Sequence, residues 1–297
     1  EVLQEAGFGD GIVNVITNAP DNAAEVVGAL IAHPAVRRIN FTGSTGVGKI
    51  IAEQASRYLK PVLLELGGKA PLLVLEDADI EAAVDAAIFG AFFNQGQICM
   101  STERVVVDHR IADAFVDKFA ARAQALKAGN PRDERNTLGT LINAQSGEKL
   151  NSLLNDAVSK GARVAAGGKA EGVVMQATVV DGVTRDMRLY SEESFGPVVA
   201  VMRVSGDEEA IRIANDSEYG LSSAVFSRDS ARAMKVARRL QTGICHINAP
   251  TVHDEPQMPF GGTKSSGYGR FGGKAGIEEF TELRWMTMQL GPRHYPI

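Results

Sequence analysis

The segment Pro61-Val62-Leu63-Leu64-Glu65-Leu66 constrains the fold most. Its apolar residues run without alternation, so a strand here is covered on both faces, as in a parallel sheet. The preceding segments fit that architecture. Ala23, Val26, Val27, Leu30 and Ile31 recur at i, i+3, i+4, i+7 and i+8, which predicts an amphipathic helix with Asp21 as its cap. Residues 37–41 read as a strand, and Val47, Ile50, Ile51, Ala55, Tyr58 and Leu59 form a second helical stripe. Helix, strand, helix and strand in this order predict an α/β fold whose parallel strands are joined by crossover helices.

The alternation continues downstream. Strands are expected at 71–75, 104–107, 173–180, 197–204 and 244–248. Ile80, Ala83, Val84, Ala87, Ile88, Ala91 and Phe92 give a long helical stripe, and Ile111, Phe115, Phe119 and Leu126 another. Further helices fit 147–160, 207–216 and 229–240, while Gly129-Asn130-Pro131-Arg132-Asp133 is a turn-rich break. Residues 261–273 hold six glycines and read as a loop; residues 281–290 are strand-like and suited to a neighbour's sheet edge.

The chain has 297 residues, which suggests about two domains. Net charge is −5, with no basic cluster of the kind that binds nucleic acid. The longest apolar stretch, 82–93, is interrupted by Asp85 and is too short for a membrane span. Two cysteines make no disulfide framework and point to a reducing compartment, so a cytoplasmic location is expected. The five histidines show no ligand spacing, and no metal site is expected. Glu1 is not Met and already lies in a helix-like segment, so the chain reads as a portion of a longer protein.

Three segments carry candidate chemistry. In Phe92-Phe93-Asn94-Gln95-Gly96-Gln97-Ile98-Cys99 a cysteine follows an apolar helix pattern in a polar, glycine-containing stretch. Such a setting can expose a thiol and lower its pKa, although most free cysteines are small buried hydrophobes. Cys245, within Ile244-Cys245-His246-Ile247, reads as the latter. Glu65 interrupts an apolar run, where burial would raise its pKa and suit it to general base work; a carboxylate satisfied by nearby N–H groups is the commoner case. Gly67-Gly68 permits close approach of another group to the backbone. Gly43-Ser44-Thr45-Gly46-Val47-Gly48-Lys49 matches the glycine and lysine spacing of a phosphate-binding P-loop, but Ile50 stands where the Mg²⁺-binding hydroxyl belongs. What survives is a strand-to-helix turn whose N–H groups favour an anion, or a plain tight turn.

These segments, with Glu192-Glu193-Ser194-Phe195-Gly196-Pro197 and Pro259-Phe260-Gly261-Gly262, occur in the order of the aldehyde dehydrogenase superfamily, which the chain resembles from Glu1 to about Gln289. The wording 94–104 and His253-Asp254-Glu255-Pro256-Gln257-Met258 is similar to the bacterial branch acting on aromatic aldehydes such as salicylaldehyde, vanillin and benzaldehyde. The resemblance implies a three-layer parallel-sheet fold. Residues 1–67 would be the C-terminal part of a Rossmann-like NAD(P)-binding domain, 68–265 the catalytic domain, and 266–297 a return to the cofactor domain with an oligomerisation tail. It implies Cys99 as nucleophile and Glu65 as the base that activates water. Cofactor contacts would fall to Gly43, Ser44, Thr45, Gly46, Val47, Gly48, Leu66, Gly67, Glu193 and Phe195.

NAD is the cofactor implied, with NADP open, and an aldehyde the substrate. The intact protein is expected as a homo-dimer or homo-tetramer. The family's oxyanion asparagine lies upstream of Glu1, so the chain by itself is not expected to be a working enzyme. Met100-Ser101 departs from the small residues common in the family at that place. Phe92, Phe93 and Phe260 lie near the motifs, either as aromatic substrate surface or as core. Two other readings, a P-loop nucleotide hydrolase and a non-catalytic member of the same fold, are disfavoured respectively by Ile50 and by the presence of both Cys99 and Glu65.

Overall fold

The computed structural model describes residues 1–297. The chain divides into two compact units, Glu1–Asn40 with Lys49–Val62, and Phe41–Gly48 with Leu63–Ile297. In the first unit lie α1 (Val2–Glu5), α2 (Ala23–Ala32) and most of α3 (Thr45–Ser56). The unit boundary cuts β1 (Ile39–Thr42), α3 and β2 (Val62–Glu65). Lys60 Nζ donates to the carbonyls of Ile31 and His33 at the end of α2. Asp21 does not cap α2: residues Pro20–Asn22 form a 3-10 turn, and Asn22 occupies the cap position with helical backbone and no side-chain bond. The stripe expected along α3 is half realised. Ile51 and Ala55 are buried, Val47 and Ile50 are exposed, and Tyr58 and Leu59 lie beyond the helix end.

The second unit is built on β3 (Ala70–Val74), α4 (Ile80–Phe92), β4 (Thr102–Asp108), α5 (Ala112–Gln124), α6 (Ala144–Ser159), β5 (Arg163–Ala166), β6 (Thr178–Asp181), α7 (Arg188–Ser191), β7 (Val198–Val204), α8 (Gly206–Asn215), β8 (Tyr219–Gly220), β9 (Ala224–Phe226), α9 (Ser230–Ala237), β10 (His246–Ile247), β11 (Thr263–Lys264), β12 (Gly267–Tyr268) and α10 (Gly273–Glu279). Seven strands form one sheet in the order β10-β9-β3-β4-β7-β6-β5. All its pairs are parallel except the edge pair β5–β6. Alternate residues of one strand enter two separate cores. Leu73, Val106, Ala200 and Val225 pack with residues of α6, α8 and α9, whereas Leu72, Val105, Val201 and Ala224 pack with α4 and α5. Helices therefore cover both faces, and the non-alternating strands are explained by burial on each side. No helix is long and apolar enough to cross a membrane.

Two local expectations fail. Within 173–180 only β6 is a strand, because Glu171 and Val174 exchange backbone bonds around Gly172 at φ 61 and turn the chain first. Residues 261–273 are not loop throughout: β12 runs antiparallel to β2, with Gly267 opposite Glu65 and Tyr268 opposite Leu64. Residues 282–290 join none of this chain's own sheets; the strand expected there is one completed by a neighbour's sheet edge.

Candidate active site

Glu65 ends β2, and the whole run from Val62 to Glu65 is buried. Its backbone is pinned on both sides: Gly43 N donates to its carbonyl at 3.0 Å, and Leu66 N donates to Ser266 O at 3.1 Å. The side chain is only 4% exposed, and neither carboxyl oxygen has a hydrogen-bond partner. Burial therefore pushes its pKa up to about 7, with Arg270 opposing and Asp254 adding to the shift. A carboxyl that changes state near neutrality and keeps both oxygens free suits proton abstraction.

Cys99 is set by an unusual turn. α4, capped by the Asp79 side chain accepting from Ala82 N at 3.2 Å, ends at Phe92. Asn94, Gln95 and Gly96 follow with φ 49, 58 and 66, three left-handed residues in succession. Glycine is required at 96, because a Cβ there would lie 2.3 Å from Gly196 O. The Gln97 side chain spans outward, accepting from Ile142 N at 2.9 Å and donating to Thr140 O at 3.3 Å. Beyond the cysteine, Thr251 Oγ1 donates to Met100 O at 2.7 Å. A Cβ on Gly68 would fall 2.1 Å from Cys99 O, so the end of the β2 segment packs directly on the cysteine backbone.

The thiol is not activated in the way its polar sequence context suggests. Burial, and then the carboxylates of Glu65 and Glu193, push the Cys99 pKa up to about 11; the N–H groups of Cys99 and Met100 pull it down less. The charges acting on it are those of neighbouring acids, so the resting group is a protonated thiol. Alkylation of Cys99 by iodoacetamide is accordingly expected to accelerate about tenfold per pH unit between pH 8 and 10. A plateau below pH 8.5 would show a thiolate already formed.

Glu193 joins the same cluster. Its Oε1 accepts from Gly68 N at 2.7 Å, and a Cβ on Gly67 would meet both its oxygens at 2.7 Å. Lys149 Nζ donates to its carbonyl at 2.8 Å. Burial, followed by the charge of Glu103, holds its carboxyl above the usual range. Phe195 is exposed, with φ 53. Residues that sequence reasoning did not single out hold this turn: Lys69 and Glu103 are both buried, and Glu103 accepts from the N–H groups of Ser194 and Phe195. The clue was available, since both are charged residues inside otherwise apolar or motif stretches.

Gly43 and Ser44 lead into α3, and Thr45–Gly48 form its first turn. Gly43, Ser44, Gly46 and Val47 are exposed, whereas Gly48 is buried with its Cα against the Leu66 side chain, which a Cβ would meet at 2.5 Å. Ser44 Oγ accepts from Val47 N at 3.4 Å, and Thr45 Oγ1 donates to Ser265 O at 3.0 Å. An accessible helix N-terminus with hydroxyls fits a pyrophosphate, and the inward-held Glu193 carboxylate fits ribose hydroxyls. The donor set thus matches a dinucleotide on this chain's own chemistry.

The aromatic residues divide. Phe92 is core, 1% exposed and stacked near Phe119. Phe93 is 54% exposed and stacks on Phe89 at 5.0 Å, and both line a cavity of about 650 Å³ with Ile98, Asn94 and Gln95. Phe260 pairs by its backbone with Phe271 and borders a second cavity of about 480 Å³, with Cys245, His246 and His253. Cys245 packs on the hydrophobic core, and burial raises its pKa.

Vanillin dehydrogenase of Pseudomonas fluorescens is 64% identical over 100% of the chain and 62% of that protein. Salicylaldehyde dehydrogenase of Pseudomonas putida is 53% identical over 100% of the chain and 62% of that protein. The crystal structure of a salicylaldehyde dehydrogenase from Pseudomonas putida G7 complexed with salicylaldehyde superposes with a TM-score of 0.97 at 54% identity, covering 99% of this chain and 61% of that one. The chain thus spans about 62% of the length of these two curated relatives. The aldehyde dehydrogenase family model matches residues 1–286, and the chain belongs to the aldehyde dehydrogenase family.

Proposed function

We propose that the intact protein oxidises an aldehyde, aromatic by preference, to the carboxylic acid with NAD or NADP. Cys99 is the nucleophile and Glu65 the base. The observation that carries this reading is Glu65: a buried carboxyl with two free oxygens and a pKa near 7, whose charge acts on the Cys99 thiol. Residues 43–48 would hold the pyrophosphate, with Leu66 and Gly67, and Glu193 and Phe195 would hold the nicotinamide half.

In the first step Cys99 Sγ gives its proton to water and bonds to the carbonyl carbon. The Cys99 N–H would donate to the resulting oxyanion. The bound nicotinamide supplies the hydride acceptor. Once the C–H pair has left, the carbon stays on sulfur as a thioester. Glu65 takes a proton from water, the hydroxide adds to the thioester carbon, and the C–S bond breaks to release the carboxylic acid, which ionises in solvent; the proton on Glu65 passes to the departing Cys99 sulfur, restoring thiol and base.

The pH dependence follows from Glu65. Its carboxyl is protonated below about 7, so the base form grows as pH rises through that value. Thioester hydrolysis is expected to rise with pH across 6–8 and level above, and the inflection should vanish in Glu65→Gln. The stability sign is opposite. The folded carboxyl keeps a proton that the unfolded chain releases between the ordinary 4.5 and about 7, so this group makes folding less favourable as pH rises through that window.

Substrate preference rests on the named relatives and on the exposed Phe89–Phe93 pair, which lines a cavity with Ile98. Assaying the intact protein with benzaldehyde, vanillin, salicylaldehyde and propanal, each with NAD and NADP, tests the reading. Higher kcat/KM for the aromatic aldehydes is the expected result; a higher value for propanal would overturn the preference, and no turnover of any would overturn the function.

A further inference from the structure

We propose that the buried Lys69–Glu103 pair is the positioning device of the Glu193–Phe195 turn, and so sets how tightly the nicotinamide half of the cofactor is held. The proposal rests on the reading above that this turn contacts the cofactor.

Both side chains are almost completely removed from solvent, Lys69 at 1% and Glu103 at 3% exposure. Lys69 Nζ donates to Glu103 Oε2 at 2.6 Å and to Ser194 Oγ at 3.3 Å. Glu103 Oε1 accepts from Ser194 N at 2.9 Å and from Phe195 N at 3.0 Å, and Oε2 accepts from Ser194 N at 2.8 Å. One carboxylate thus ties two consecutive amides of the turn to a lysine of the Glu65 motif. Such charge-assisted bonds are short and directional, which suits them to fixing geometry.

The backbone is arranged to deliver this carboxylate. Between β3 and β4, Ala70 pairs with Thr102 but Pro71 pairs with Arg104, so Glu103 is the extra residue of a β-bulge. A bulge next to a site re-aims one side chain out of the regular alternation. Arg104, also buried, anchors the bulge by donating to Lys69 O at 3.0 Å and to Ala214 O at 2.9 Å. The turn itself needs such restraint. Phe195 is held at φ 53, a conformation a bulky residue keeps only when its surroundings impose it. Glu193, two residues before Phe195, is restrained from the other side by Gly68 N at 2.7 Å. Burying two opposite charges yields little net stability, so the gain is one defined geometry.

The test uses the intact protein and Glu103→Gln, which keeps the side-chain volume but removes the charge and one acceptor. NAD affinity is measured by titration calorimetry, together with KM for NAD, KM for aldehyde, and amide exchange at Ser194 and Phe195. The expected result is NAD affinity about tenfold weaker, a matching rise in KM for NAD, aldehyde KM within about twofold, and faster exchange at both amides. A general loss of folded protein would lower kcat without this split. A folded Glu103→Gln protein with wild-type NAD affinity and unchanged exchange would overturn the proposal. Should that variant not fold, Lys69→Met with Glu103→Gln removes both buried charges and is read by the same criteria. Rapid exchange of both amides in the wild type would also overturn it. Wild-type protein that binds NAD yet oxidises no aldehyde would instead refute the catalytic reading and leave the NAD-affinity result to decide this one.

Discussion

Cys99→Ala in the intact protein is expected to abolish aldehyde-dependent reduction of NAD. The reaction proposed here passes through two covalent species on one sulfur, so removing it eliminates the route instead of slowing a step. Losing a nucleophile from a covalent mechanism costs on the order of 10⁶ in kcat in a well-studied protease. NAD binding should persist, because the groups suited to the cofactor are residues 43–48 and the Glu193 carboxylate, which is held by Gly68 N while Lys149 holds the Glu193 carbonyl. Cys245→Ala is the matched control. Its thiol packs against core residues, so the change should cost a little stability and leave turnover nearly intact. Absorbance of reduced cofactor and calorimetric NAD titration read both variants. Turnover by Cys99→Ala at the wild-type rate would end the covalent mechanism.

Much of the fold was legible because burial on both faces leaves a plain mark. Runs such as Val62–Leu64 and Val105–Val107 lack alternation, and they lie in sheets with their side chains buried on each side. The stripe of α4 was equally clear, since Ala83, Val84, Ala87 and Ala91 all enter one core. β9 was not legible. Its three apolar residues sit between Ser222, Ser223 and Ser227, which resemble loop composition. In the fold those serines are buried and bonded, Ser222 to Thr251 O at 2.7 Å and Ser227 to Asp77 at 2.7 Å. Partners so distant in sequence cannot be inferred from a local window.

The candidate site divides in the same way. Glu65 and Cys99 stood out because each breaks a local pattern. The ionisation of Cys99 depends on which charges fold around it, and those are carboxylates 34 and 94 residues away in the chain, Glu65 and Glu193. Glu103 is also a charge inside a motif stretch, but the bulge that accommodates it is set by pairing with β3, which local sequence does not encode. Sequence spacing carries the identity of reactive groups; their protonation and their supports are properties of tertiary packing.

Glu65→Gln should separate the two halves of the reaction. Thioester hydrolysis loses its base and is expected to slow by about 10²–10⁴-fold. Formation of reduced cofactor in the first turnover depends on Cys99, so a burst should remain. Removing the Glu65 charge also eases ionisation of the thiol, because that charge is among the causes holding its pKa up. The variant should fold well. Both Glu65 oxygens lack partners, so no bonded counterpart is stranded by the substitution. Above pH 7 the change even removes an unpaired buried charge, and thermal stability at pH 8 should equal or exceed that of the wild type. Rapid-mixing fluorescence would follow the burst, and intact-mass spectrometry after quenching should find the acyl group on Cys99. Unchanged steady turnover would remove Glu65 from the base role. Loss of the burst with no acyl adduct would place its contribution before the thioester, in the ionisation of Cys99.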